Sequence, residues 1–443
     1  MALSFAHGAV QWLAADAANV TYAVTGLGFT PKAIKFWTLG LSSAVDAESS
    51  TTHIRRSFGF ATSPTDRRCV MQQDQDAAAD MLCTTGARDD AVIATVTSTG
   101  PACDGRLDLS SMDADGFTLI VDDATPVDLT VFWEAWGGSD IILAQTLEFS
   151  EPAATGSQSY SVLGFTTGDA EHQVVMFAGT QQTAATPSVS RGNSGWMLGY
   201  ATGTGNLGIT ASGNNVDAGT ASETSRYNQT GECLSMQTAT SATDNPTARA
   251  SFSGFGDNIF TLNWIARATT GRKYIALAIK GGSWAAGSTT IARGTLNATA
   301  TISGLDFTPL GIDIIYNSNL VVTAGTGTAG DYLSLGTGSS PTSRRCMSAY
   351  SEDSDTSSFV FHSIQYDEIA ALDIAGTLDS AIDINQMNAD GFQLIVDDAS
   401  AFANTVWLGY LAFGNGTSTV SSGGPGLGAA VTTHRYHRYS MGG

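Results

Sequence analysis

The sequence predicts an all-β protein: three tandem antiparallel β-sandwiches, jelly-roll-like in kind, followed by a short C-terminal tail. Three observations carry this. First, a long block returns almost unchanged. Residues 112–124 read MDADGFTLIVDDA and residues 387–399 read MNADGFQLIVDDA, while Gly26-Leu27-Gly28-Phe29-Thr30-Pro31 comes back as Gly304-Leu305-Asp306-Phe307-Thr308-Pro309. Second, the apolar runs are short, rich in β-branched and aromatic residues, and bounded by Gly, Pro or Asp, which is how strands read. Third, 49 glycines and only 14% charged residues fit many strands joined by tight turns. Aromatic and β-branched residues spread along the whole chain argue against disorder.

The repeats divide the chain into residues 1–138, a divergent 139–282, and 283–417, with a tail at 418–443. Each copy is long enough to bury a core of its own. The matching apolar strands are Ala33-Ile34-Lys35-Phe36-Trp37, Gln173-Val174-Val175-Met176-Phe177 and Ile312-Asp313-Ile314-Ile315-Tyr316. Next in each copy comes a strand with a central glycine: Ser57-Phe58-Gly59, Met197-Leu198-Gly199 and Ser334-Leu335-Gly336. The first and third copies then share Ser-Pro-Thr-x-Arg-Arg-Cys, at Ser63 to Cys69 and Ser340 to Cys346. Each copy is expected to close on a hairpin, Phe117–Val121 turning into Leu129–Trp133 in the first. No helix longer than about two turns is expected.

Composition excludes several classes. The net charge of −21 repels a phosphate backbone, so no nucleic-acid partner is expected. No run of about 18 apolar residues marks a membrane span. The N-terminus lacks the basic start and apolar core of a signal peptide. The charge is uneven: 8 basic against 17 acidic residues in the first copy, 7 against 10 in the second, 3 against 14 in the third. The tail carries Arg435 and Arg438 and no acid. Five cysteines, Cys69, Cys83, Cys103, Cys233 and Cys346, are odd in number and irregular in spacing, so core packing is expected rather than a disulfide framework.

Chemistry-bearing patterns are sparse. Adjacent strand residues point to opposite faces, so Asp122 and Asp123 read as turn residues and not as catalytic carboxylates. Asp113-Ala114-Asp115-Gly116 starts like a calcium loop but lacks the later ligands. The acidic stretches Gln72 to Asp76 and Ser351 to Asp355 are expected as solvated loops, with a surface calcium ion as the alternative. No nucleophile elbow or phosphate-binding loop is present, and His7, His53, His172 and His362 share no partner. We therefore expect no enzyme, no cofactor and no metal. The tail ends in His434-Arg435-Tyr436-His437-Arg438-Tyr439, a basic and aromatic segment suited to docking on an acidic neighbouring subunit, against the third copy.

Taken together, Gly26 to Ala33, Asp115 to Val121, Phe260 to Trp264 and Gly281-Gly282 resemble tandem β-sandwich repeat proteins of tailed-bacteriophage virions. The resemblance covers all three copies but not the tail. It implies a structural protein at the particle surface, decorating the capsid or forming part of the tail, made in the host cytoplasm and bound to other virion proteins. It brings no catalytic residues with it. Three similar domains in one chain can imitate threefold symmetry or double it in a homotrimer, and a trimer is the favoured oligomer. The alternative is an adhesin for host glycans. Its loops would present Trp12, Trp37, Trp133, Trp136, Trp196 or Tyr227.

Overall fold

A computed structural model describes residues 2–50, 53–75, 83–97, 102–191, 194–203, 207–214, 224–237, 246–268, 271–317, 328–352, 360–374, 377–402 and 404–416. The docking-tail residues His434 to Tyr439 and the acidic residues Asp353 to Asp355 lie outside them. The chain is all-β, built of three seven-stranded and three four-stranded antiparallel sheets. A single 3-10 turn, Ala170–His172, is the one helical element among the described residues.

The first repeat supplies β1 (Leu3–Trp12), β2 (Thr21–Thr25), β3 (Pro31–Thr38), β4 (Ala47–Ser49), β5 (Ile54–Ser63), β6 (Asp66–Asp74), β7 (Cys83–Arg88), β8 (Ile93–Val96), β9 (Cys103–Asp113), β10 (Gly116–Asp123) and β11 (Leu129–Gly138). The large sheet runs β1-β11-β3-β5-β6-β7 and the small one β2-β10-β9-β8. Outermost strands pair first with last, β1 with β11 and β2 with β10, as in a jelly roll, and the remaining strands meander within their own sheets. The other two repeats follow the same order. Residues on one face of each large sheet pack on the small sheet. In the first repeat this core holds Phe36, Phe117, Leu119 and Trp133, and the second and third repeats have their own clusters.

One expected pairing is corrected. Phe117–Val121 does not form a hairpin with Leu129–Trp133, because β10 pairs with β9 and β2 while β11 crosses to the large sheet between β1 and β3. The hairpin is instead β9–β10, and its turn is Asp113-Ala114-Asp115-Gly116. That turn joins the two repeated motifs into one contact. The Asp115 carboxylate accepts hydrogen bonds from the backbone N–H groups of Gly26 (3.1 Å) and Gly28 (2.5 Å), and Leu27 N–H donates to the Asp115 carbonyl. Gly26 and Gly28 have φ of 84° and 75°, a conformation glycine adopts without a Cβ penalty. The Thr30 hydroxyl donates to Ala114 O. The third repeat repeats three of these bonds: Gly304 N–H donates to the Asp390 carboxylate, Leu305 N–H to the Asp390 carbonyl and the Thr308 hydroxyl to Ala389 O, while Asp306 stands in place of Gly28. In the second, Asn258 takes the place of the aspartate and accepts from Gly164 N–H.

Asp115→Ala is accordingly expected to lower stability by about 1–2 kcal/mol, the range of hydrogen bonds to a charged acceptor near solvent. Asp115→Asn should lose less, since Asn258 performs the same task. Urea unfolding of both variants tests this, and an unchanged midpoint for Asp115→Ala would mean that the contact adds nothing to stability.

Candidate functional site

The large sheets are not closed within their own repeats. Each has a seventh strand that comes from a different repeat. Ser188–Arg191 of the second repeat pairs with β7 of the first. Thr328–Ala329 of the third pairs with Thr224–Asn228 of the second. β4 of the first pairs with Val360–Gln365 of the third, placing Ser49 opposite His362. Second to first, first to third and third to second is a closed cycle, so one chain forms a ring of three strand-exchanging sandwiches.

The first strand of each repeat also touches a neighbour at the same position. Thr146 donates to the carboxylate of Asp66 through its N–H (3.0 Å) and its hydroxyl (2.5 Å). His7 Nε2 lies 3.1 Å from Ser343 Oγ. Ala286 N–H donates to Thr202 Oγ1 at 3.2 Å. Strand register makes His7, Thr146 and Ala286 equivalent, and Asp66 equivalent to Ser343. The repeated Arg-Arg pair divides its work accordingly. The first arginine binds its own repeat, Arg67 to Asp108 and Arg344 to Asp383. The second faces another repeat, Arg68 toward Glu148 at 3.6 Å and Arg345 over the ring of Phe132 at 5.7 Å.

The inner faces of the three large sheets meet in a fourth core, which holds Trp37, Phe58 and Trp136 with Met176, Trp196 and Leu277 and with Leu335, Leu411 and Phe413. Trp136 packs edge-on against Phe413 (5.6 Å between centroids), and Trp284 contacts both. At three equivalent strand positions stand Lys35, Met176 and Asp313, opposite Glu134, Leu277 and Leu411. Two of the three positions are thus charged. Lys35 Nζ lies 2.9 Å from Glu134 and 2.5 Å from Asp313, and Tyr200 OH donates to Asp313 at 3.1 Å. Burial, reinforced by the Asp313 charge, pushes the Glu134 carboxyl well above the usual carboxylate range. Burial alone would lower Lys35, but Asp313 and Glu134 raise it on balance. Lys35 thus bridges two buried carboxyl groups of different repeats, Glu134 and Asp313.

A second buried charge group spans the same junction. Arg56 binds Asp74 of its own repeat and Asp331 of the third (2.8 Å), beneath the Trp196 ring of the second. Gln72, Gln73 and Asp74 are therefore buried strand residues, not the solvated loop that their polarity suggested, because the charge of Asp74 is matched by Arg56 inside the sheet stack.

The aromatic residues proposed for glycan contact are all interior. Trp12, Trp37, Trp136, Trp196 and Tyr227 are fully covered, and Trp133 is 5% exposed. Trp12 and Trp133 face the first sandwich core, and Trp37, Trp136 and Trp196 face the shared one. Cys69 and Cys346 are buried in packing positions. The Asp122–Asp123 pair ends β10 in solvent, with Asp122 held by Arg106. The cavity between Lys35, Phe58, Met176, Tyr200 and Leu335 has a volume of about 10 Å³, room for a single water-sized sphere and not for a substrate. Among the described residues, no three His, Cys, Asp or Glu side chains are placed to hold a metal ion, and no helix is long and apolar enough to cross a membrane.

No protein-family model, curated protein or solved structure matches the chain.

The joint between the first and third repeats contains a half-buried histidine, His7, and a fully buried one, His362. His7 is lowered to about 3 by burial and by the Arg345 charge. His362, with Nδ1 3.3 Å from Leu39 O, is lowered to about 4, again mainly by burial. Both stay neutral when folded and bind protons near pH 6.5 when unfolded. The unfolded state then holds more protons below pH 6.5, so stability falls as pH drops from about 6.5 to about 4. His7→Gln is expected to flatten that slope in denaturant unfolding series between pH 4 and pH 7. A slope equal to wild type would exclude His7 as a source.

Proposed function

We propose that the protein is a non-enzymatic structural component of a bacteriophage virion, decorating the capsid or forming part of the tail, and acting through protein–protein contacts. The closed strand-exchanging ring carries this reading. A ring of three related sandwiches offers threefold geometry from one chain, and threefold and sixfold positions recur in viral shells and tails. Because the repeats are fused, their outer surfaces are free to differ, and the uneven charge of the copies means that they do. Each face can then contact a different neighbour in a particle. The same ring bears on the expected homotrimer: threefold closure is already achieved within a chain, so further copies would add to it rather than complete it.

The glycan reading draws no support from the six aromatic residues on which it rested, since all six are buried. Reconstruction of intact particles by cryo-EM tests the proposal. Density for the ring on the capsid lattice or the tail is the expected result. Particles that lack the protein, together with the protein free in the lysate, would overturn it.

A further inference from the structure

The small sheets of the three repeats differ at one strand position, where the third repeat has the acids of both others and the arginine of neither. In the first repeat Arg106 bridges two aspartates, Asp122 at 3.0 Å and Asp90 at 3.4 Å. In the second, Arg249 holds the buried Glu232, with Nε donating at 3.0 Å. Arg106 and Arg249 are equivalent, since they face Ala94 and Ser235 on the neighbouring strand. The third repeat has Ala381 there, facing Ala371. Its acids follow from the same register. Asp367 precedes Ala371 by four residues as Asp90 precedes Ala94, and Glu368 precedes it by three as Glu232 precedes Ser235. Asp397 and Asp122 each stand next to the aspartate that pairs with this position, Asp398 and Asp123.

Glu368 is only 7% exposed, and its Oε2 has no hydrogen-bond partner. The charges of Asp383, Asp397 and Asp367 act on it, and the opposing cation, Arg344, is already bound to Asp383. Burial and these three charges push the Glu368 carboxyl up to about 8. Asp367 and Asp397 are exposed and form no ion pair among the described residues. No three of these acids are placed to hold a metal ion. A guanidinium spreads its donors over a planar fork, so it bridges carboxylates that a single ion does not reach together, as Arg106 does between Asp90 and Asp122.

We propose that Asp367, Glu368 and Asp397 form a binding site for a guanidinium group, supplied by an arginine side chain of a protein partner. Two observations carry the site. The same strand position seats a guanidinium on the equivalent acids in both other repeats, and in the third a buried carboxylate oxygen stands unpaired there. The direction of approach points to a partner. Two of the acids are exposed and the third lies buried, so the cation enters from solvent on a stem long enough to reach Glu368. Arginine combines such an apolar stem with the planar fork. The third repeat, with 3 basic against 14 acidic residues, also attracts a basic surface at longer range. That the guanidinium belongs to a protein rests on the reading of an assembled component; the site itself does not.

Titration of the full-length protein, labelled at its alanine methyl groups for NMR, with N-acetylargininamide tests the site. The Ala371 and Ala381 methyl signals are expected to shift and saturate, half-way at about 1–10 mM, the scale of a single charged group on a few carboxylates. Ala94, whose position Arg106 already fills, should hold still. N-acetylcitrullinamide, of the same shape without the charge, should move neither. Glu368→Gln should weaken binding about tenfold or more, the scale of a charge-assisted hydrogen bond. The double variant Asp367→Asn and Asp397→Asn should do likewise, and it decides the matter if Glu368→Gln fails to fold. Wild-type affinity should rise severalfold from pH 6 to pH 8.5, because the free Glu368 carboxyl is protonated below about 8 and a guanidinium favours its ionised form. An Ala371 signal that does not move, or that moves equally with the neutral analogue or in step with Ala94, overturns the site. In reconstructed particles an arginine of a neighbouring protein is expected between Asp367 and Asp397, and acids bare to solvent in every copy would overturn the partner. If the site titrates but the particles lack the protein, the virion reading falls and the guanidinium site stands.

Discussion

Lys35→Met is expected to destabilise the protein by about 3–5 kcal/mol, the usual consequence of stripping one partner from a buried ion pair. The substitution is sterically mild, because Met176 occupies the equivalent position in the second repeat. Its cost is electrostatic. Asp313 and Glu134, both without solvent exposure, would face each other with no cation. The triple variant Lys35→Met, Glu134→Leu, Asp313→Met carries at all three positions what the second repeat already carries. It should recover wild-type stability or exceed it by about 1–4 kcal/mol, as well-packed apolar replacements of buried charge groups do. Guanidinium unfolding of the single and triple variants separates the two effects. A single variant as stable as wild type would mean that the cluster is solvated or already neutral. A fully apolar set would also make the three positions alike. The charges mark the junction of the first and third repeats, so the triple variant is the one in which refolding should yield strand exchange between chains, read as oligomers by light scattering.

Much of this was legible in the sequence, but in pieces. The repeated Gly-x-Gly-Phe-Thr-Pro and Asp-Gly-Phe motifs were visible separately; that Asp115 binds the backbone of the Gly26–Gly28 loop needed the pairing of β2 with β10. Short runs of β-branched and aromatic residues marked β10 and β11 as strands, yet such a run says nothing of which sheet a strand joins, and proximity in sequence suggested a hairpin that does not form. The exchanged strands were illegible. Ala47–Ser49 and Thr328–Ala329 are only three and two residues long, too short for an apolar run to show in the sequence. The axial ion cluster did leave one: Lys35 and Asp313 each interrupt an apolar run at the same repeat position. A charge within such a run is either on an outer face or matched inside, and only the meeting of all three large sheets decides that it is matched inside. Gln72 to Asp74 misled for the same reason, since Arg56 lies 18 residues away from Asp74 and shares no local pattern with it.

Gly59→Ala should be severely destabilising, although it adds only one methyl group. The glycine at the centre of β5 recurs as Gly199 and Gly336, and the structure gives the reason for all three. An added Cβ at Gly59 would sit 1.7 Å from the carbonyl oxygen of Val92, at Gly199 2.1 Å from that of Cys233, and at Gly336 1.8 Å from that of Ile369. The obstacle in each case is backbone leading into the small sheet, so no side-chain rotation relieves it, and the two sheets of the sandwich must part. Overpacking of cores costs about 1–3 kcal/mol when side chains can yield; with rigid backbone on the other side a loss of about 3 kcal/mol or more is expected. Gly26→Ala provides the contrast. Its Cβ meets nothing within 4 Å, and the cost is only that of a left-handed backbone, about 1 kcal/mol. Thermal unfolding of the four alanine variants, Gly59, Gly199, Gly336 and Gly26, reads the difference directly. If Gly59→Ala unfolds with Gly26→Ala rather than well below it, close approach of the two sheets is not what holds this glycine in every repeat.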